Sequence, residues 1–142
     1  MFFIADAKNA DLWEMSVIPT LLYNAGTWTN IDTISMNKLD HLQNSMLRYL
    51  LSTPRSTPVP SLSWEFGVLP MEFRIMIRKL CLVKHLVSLS SNSLAKEIFQ
   101  TQNTMSFPGL AKEAIILIKK LNLPNILDPH INKEWSKQSW KK

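Results

Sequence analysis

Lys38, His41, Ser45, Arg48 and Ser52 recur at intervals of three and four residues. Side chains so spaced share one face of an α-helix. Such a face can hold phosphate oxygens, with Lys and Arg supplying charge and Ser and His supplying donors. The same strip serves equally as a solvated face. A second group lies further along, where Arg74, Arg78 and His85 fall between apolar stripes, with Lys79 and Lys84 beside them. Cations bounded by apolar surface must reach water, pair with carboxylates or meet an anionic ligand. Glu65 and Glu72 are available carboxylates, so structural pairing competes with binding at this second group.

No catalytic constellation emerges. The acidic residues are scattered singly and no Asp-Asp pair occurs, whereas two-metal phosphoryl transfer needs clustered carboxylates. A phosphate-cradling G-x-x-x-x-G-K loop is missing, and so is a Ser-centred nucleophile elbow. His41, His85 and His130 lack the spacing of a local metal motif. Cys81, the one cysteine, sits among Leu80, Leu82 and Val83 and reads as a buried, inert thiol. The expectation is a protein that is not an enzyme, with no catalytic residues, cofactor or metal.

Composition sets the wider frame. The chain has 142 residues, 46% hydrophobic and 19% charged, which suits one globular domain with a real core. Lys and Arg number 16 against 11 Asp and Glu, a net charge of +5. That balance favours a polyanionic partner. One cysteine builds no internal disulfide and fits a reducing, intracellular setting, cytoplasmic or nuclear. The opening Met1-Phe2-Phe3-Ile4 is too short an apolar run for a signal peptide. The longest uncharged stretch, Met15 to Ile31, contains Pro19, Asn24, Gly26 and Asn30 and falls short of the ~20 apolar residues of a membrane span.

Helices must position the basic strips, because only three glycines are present and no Asn-Gly or Asp-Gly hairpin signal exists. A first helix is predicted from Ala10 to Asn24, with Pro19 as a kink or first-turn residue. A second runs from about Ser35 to Leu51, capped by Asp32 or Ser35. Its core stripe reads Leu39, Leu42, Met46, Tyr49 and Leu50. Residues 52–63, with prolines 54, 58 and 60, read as a stiff connector. A short turn from Leu62 to Phe66 ends at Gly67. The third long helix follows Pro70 and runs to about Ser88, carrying Phe73, Met76, Ile77, Leu80, Val83 and Val87 on one stripe and Ile75, Leu82 and Leu86 on another. A helix apolar on two sides is expected to be the most buried. Asn92 or Ser93 caps a further helix through Gln100, and Pro108 opens another through Leu121. A basic helical tail, Ile131 to Lys142, closes the chain, with Lys133, Lys137 and Lys141 spaced by four around Trp135 and Trp140.

Several segments together resemble the thumb region of non-LTR (LINE-type) retrotransposon reverse transcriptases. Tyr23, Ala25 and Trp28 match a Tyr-x-Ala-Glu-x-Trp signature that follows the palm. Leu39, Leu42-Gln43-Asn44, Arg48 and Leu50-Leu51 come next, then Thr53-Pro54, Thr57-Pro58, Trp64-Glu65, Gly67 and Leu69-Pro70. Arg78-Lys79-Leu80, Ser93 to Glu97 and Pro108-Gly109-Leu110 follow in the family's order. The likeness runs from Leu12 to Trp140. Gly26 departs from it, standing where relatives commonly have Glu.

The resemblance implies an all-α, irregular, thumb-like helical bundle with no sheet or only a trace. It implies a divergent segment at 1–10, a helical bundle at 11–90 and a post-thumb helical segment at 91–142. The palm with its catalytic aspartates would lie upstream of Met1. The implied function is non-catalytic, sequence-independent binding of RNA–DNA or other double-stranded nucleic acid through phosphate contacts. Arg48, Arg55, Arg74, Arg78, Lys79 and Lys84 are the expected binding residues, with Lys38 and His41 secondary. Two alternatives stay open. One is a protein-interaction module using an exposed palm-facing surface, and the other is an inert retroelement remnant. No membrane partner is expected.

Overall fold

A computed structural model describes residues 11–105, 108–125 and 127. The expectations for Met1 to Ala10, for His130 and for the tail with Trp135 and Trp140 lie outside the described residues. The chain is all-α, and among the described residues there is no strand. A π-helical stretch, Trp13–Val17, runs into a short helix α1, Ile18–Leu21, followed by a 3-10 turn, Ala25–Thr27. Then come α2 (Thr33–Leu51), α3 (Val59–Phe66), α4 (Met71–Ser88), α5 (Leu94–Met105) and α6 (Leu110–Lys120).

Pro19 explains the π stretch. Proline has no N–H and its ring crowds the preceding turn of an α-helix. The backbone before it widens, and the Ile18 N–H donates to the Trp13 carbonyl five residues back. Pro19 then falls in the first turn of α1, where a missing N–H costs little. Of the two anticipated roles, kink or first-turn residue, the structure shows the second.

The helix ends follow local chemistry. Asp32 is the N-cap of α2 in extended conformation, and the neighbouring Ser35 hydroxyl holds its carboxyl below the usual range. Helix α2 closes on Ser52 at φ 51°, and α3 closes on Gly67 at φ 60°. The proline connector is shorter than predicted, because α3 already starts at Val59. Pro58 is extended as its N-cap and Pro60 occupies its first turn, a position that needs no N–H.

The chain packs as two compact units, which divide within α4. The first comprises residues up to Ala25 and Ile31–Ile75; the second comprises Gly26–Asn30 and the rest. The division therefore falls inside the long helix rather than after it.

In the first unit α2 packs against α3 and grips the start of α4. The Asp40 carboxylate accepts the Met71 N–H at 3.2 Å, satisfying an amide that the start of a helix leaves free. One turn on, the Gln43 amide donates to the Leu69 carbonyl at 3.1 Å. This inner face corrects the predicted stripe. Gln43, Leu47 and Leu50 are buried, whereas Leu42 is 46% exposed and Tyr49 77%.

The second unit is built around Val83 and Val87 of α4, Phe99 of α5, and Ala111 and Ala114 of α6. Leu86, Leu110 and Leu127 pack against that cluster. Gly26 lies close to α4, and a Cβ there would come within 3.1 Å of the Arg78 carbonyl and 3.3 Å of Leu82. A side chain at this position would press on the neighbouring helix.

Helix α4 corrects a second stripe. Its buried positions are Met71, Ile75, Lys79, Val83 and Val87, a run at four-residue spacing. Phe73 and Ile77 are about half exposed, Leu80 is only partly buried, and Cys81 is exposed rather than buried. Lys79 is thus part of the inner face. Its ammonium pairs with Glu113 of α6, and the other Glu113 oxygen accepts the Asn30 N–H at 2.7 Å.

Two stability experiments follow. Leu47→Ala should cost about 2–5 kcal/mol, because it empties a closed site. Leu42→Ala should change stability by about 0.5 kcal/mol or less, and urea titration of both reads out which face of α2 is inside. Glu113→Ala leaves the Lys79 ammonium buried without its carboxylate and should cost about 3 kcal/mol. The paired Lys79→Met, Glu113→Ala variant should recover part of that loss in the same assay.

Candidate nucleic-acid interface

The inner face of α2 fixes where its outer face points. His41, Ser45, Arg48, Tyr49 and Ser52 lie opposite Gln43, Leu47 and Leu50, and they line a groove completed by Thr53 and Arg55. Its volume is about 750 Å³, within the usual range of ligand sites. No acidic side chain is among its described lining residues.

Local backbone chemistry brings the loop back over the helix end. Ser52, in the left-handed region, lets the Thr53 N–H donate to the Arg48 carbonyl at 3.0 Å. A turn follows in which the Thr57 N–H donates to the Pro54 carbonyl at 3.1 Å. Arg55 sits at the exposed corner of that turn. The Arg48 Nη2 then donates to the Thr57 carbonyl at 3.2 Å and ties the loop to α2.

Two donors on residues that line the groove are left short. The Arg48 Nε and the Thr53 hydroxyl are covered from solvent and have no hydrogen-bond partner among the described residues. A buried polar group without a partner costs ~1–3 kcal/mol, more when charged.

Of the predicted binding residues, the structure gathers His41, Arg48 and Arg55 in one place. Lys38 is exposed on the same helix but does not line the groove. Arg74 is committed elsewhere: Nη1 and Nη2 reach the Glu14 carboxylate at 2.9 and 2.5 Å, and Nε donates to the Leu69 carbonyl at 3.0 Å. That two-pronged geometry is the strong form of an Arg–carboxylate pair. Lys79 is spent on Glu113. Arg78 is half-buried, and Lys84 is half-buried with an interaction of its own. These last three belong to the second unit.

Tyr49 and Thr53 were not among the expected site residues. A wheel drawn at about 100° per residue would have found Tyr49, which falls about 80° round from His41 and nearer the basic strip than Leu50 does. Thr53 lies beyond the helix and carried no such signal.

Among the described residues no grouping of three or more His, Cys, Asp or Glu could hold a metal ion. No described helix is long and apolar enough to cross a membrane. No protein-family model, curated protein or solved structure matches the chain.

Proposed function

We propose that this chain is a thumb-like helical module that holds nucleic acid through its phosphate backbone, without polymerase activity of its own. The observation that carries this reading is the α2 groove. Two arginines and a histidine line it with four hydroxyl-bearing side chains, and no carboxylate is among its described lining. The net charge of +5 adds long-range attraction for a polyanion. The resemblance of sequence segments to reverse-transcriptase thumbs suggests the mode of use, a duplex lying along the helix, and it enters as analogy alone.

The residues divide by role under this proposal. Arg55 and His41 meet phosphate directly. Arg48 holds the loop with one nitrogen and offers charge with the rest. Arg74 and Lys79 keep their units together. A protein partner is the second reading, favoured by apolar side chains left open to solvent, above all Trp64 of α3 at 89% exposure.

The test is fluorescence anisotropy with a labelled RNA–DNA duplex across a salt series. Binding should be weak, with Kd around 10⁻⁴–10⁻⁶ M at physiological salt, and should show no sequence preference. Arg55→Gln should weaken binding alike on every sequence and reduce the log–log salt slope by about 1. Arg74→Gln should instead lower the melting temperature and leave the slope as it was. A wild-type protein whose binding does not respond to salt would overturn the proposal and favour the protein-partner reading.

A further inference from the structure

We infer that the α2 groove takes an unpaired nucleotide, with its base stacked on Tyr49 and its phosphate held by Arg55 and Arg48. The inference rests on the nucleic-acid reading and narrows it from duplex to single-stranded substrate. Tyr49 is the reason. It lines the groove yet is 77% exposed, so its ring faces water rather than protein. An exposed ring beside two guanidinium groups contributes little to a paired duplex, whose base faces are already stacked on one another. An unpaired base presents its face, and base–aromatic stacking tolerates any sequence.

The rest of the groove fits the other half of a nucleotide. Arg55 is exposed at the corner of the turn after Pro54. Arg48 is fixed in place by its bond to the Thr57 carbonyl. Ser45, Ser52 and Thr53 supply hydroxyls around them. A phosphate would meet the exposed Arg55 and the hydroxyl groups of the exposed Ser45 and Ser52. The groove is open and has room for a base and its phosphate together.

The experiment uses the full chain and three probes: an oligothymidylate of about 12 nucleotides, within the ~4–16 nucleotide footprint of single-strand binders, the matching duplex, and inorganic polyphosphate. The single strand should bind more tightly than the duplex, and polyphosphate should compete poorly because it has no base. Tyr49→Ala should weaken single-strand binding about tenfold while leaving duplex binding and melting temperature unchanged. Tyr49→Phe keeps the ring and should bind within about twofold of wild type. If Tyr49→Ala binds the single strand as wild type does, or if duplex or polyphosphate binds as tightly, the inference is overturned. Salt-dependent binding of single strand and duplex alike, with neither affected by Tyr49→Ala, would sink this inference alone and leave the phosphate-binding reading standing. Absence of salt-dependent binding to any nucleic-acid probe would overturn both.

Discussion

A lysine in the middle of a buried helical stripe cannot stand alone, because an unpaired ammonium away from water costs several kcal/mol. Lys79 meets that constraint with Glu113, a residue 34 positions later on another helix. The same carboxylate takes the Asn30 amide, so a single acidic residue joins α4, α6 and the segment before α2 within the second unit. The apolar cluster of Val83, Val87, Phe99, Ala111 and Ala114 supplies adhesion. Adhesion has no direction. The ion pair has one, since it is satisfied in only one register of α4 against α6. In the first unit Arg74 and Glu14 form a comparable long-range pair, 60 residues apart. Two of the cations on α4 are therefore absorbed by architecture.

Helix positions were largely legible in the sequence, and helix faces were not. Prolines 58, 60 and 70, Gly67 and Asp32 mark where the chain can enter or leave a helix, and those signals are local. Which side of a helix is inside depends on partners distant in sequence. Gln43 is 1% exposed and Lys79 is 7% exposed. Each is polar, and each is held by a group 26 or 34 residues away. Hydrophobicity read along one helix sends such residues outward, and then places Leu42, Tyr49, Phe73 and Ile77 inward to compensate. The strip of Lys38, His41, Ser45, Arg48 and Ser52 does lie outside the inner face, though Lys38 falls short of the groove. Arg74 shows the same dependence on distant partners, since its carboxylate was sought at Glu65 and Glu72 and lies in the first helical segment at Glu14.

The two faces of α2 are fixed by one set of bonds. Asp40 and Gln43, one turn apart, clasp the backbone on either side of Pro70. Pro70 is what makes that clasp available. It leaves the Leu69 carbonyl outside α4, free to accept from both Gln43 and Arg74, and the Met71 amide is left for Asp40. With the inner face so anchored, α2 cannot rotate about its axis without losing both bonds. The groove residues on the far side inherit that rigidity, although none of them makes the anchoring contacts.

Arg48 sits where structural and ligand-binding demands meet. One nitrogen ties the 52–57 loop to the helix, and another is buried without a partner. A buried charged donor without a partner is a costly feature in a small domain. Thr53 repeats the pattern one step further along the loop. Both adjoin the open groove, whose lining also holds His41 and Arg55.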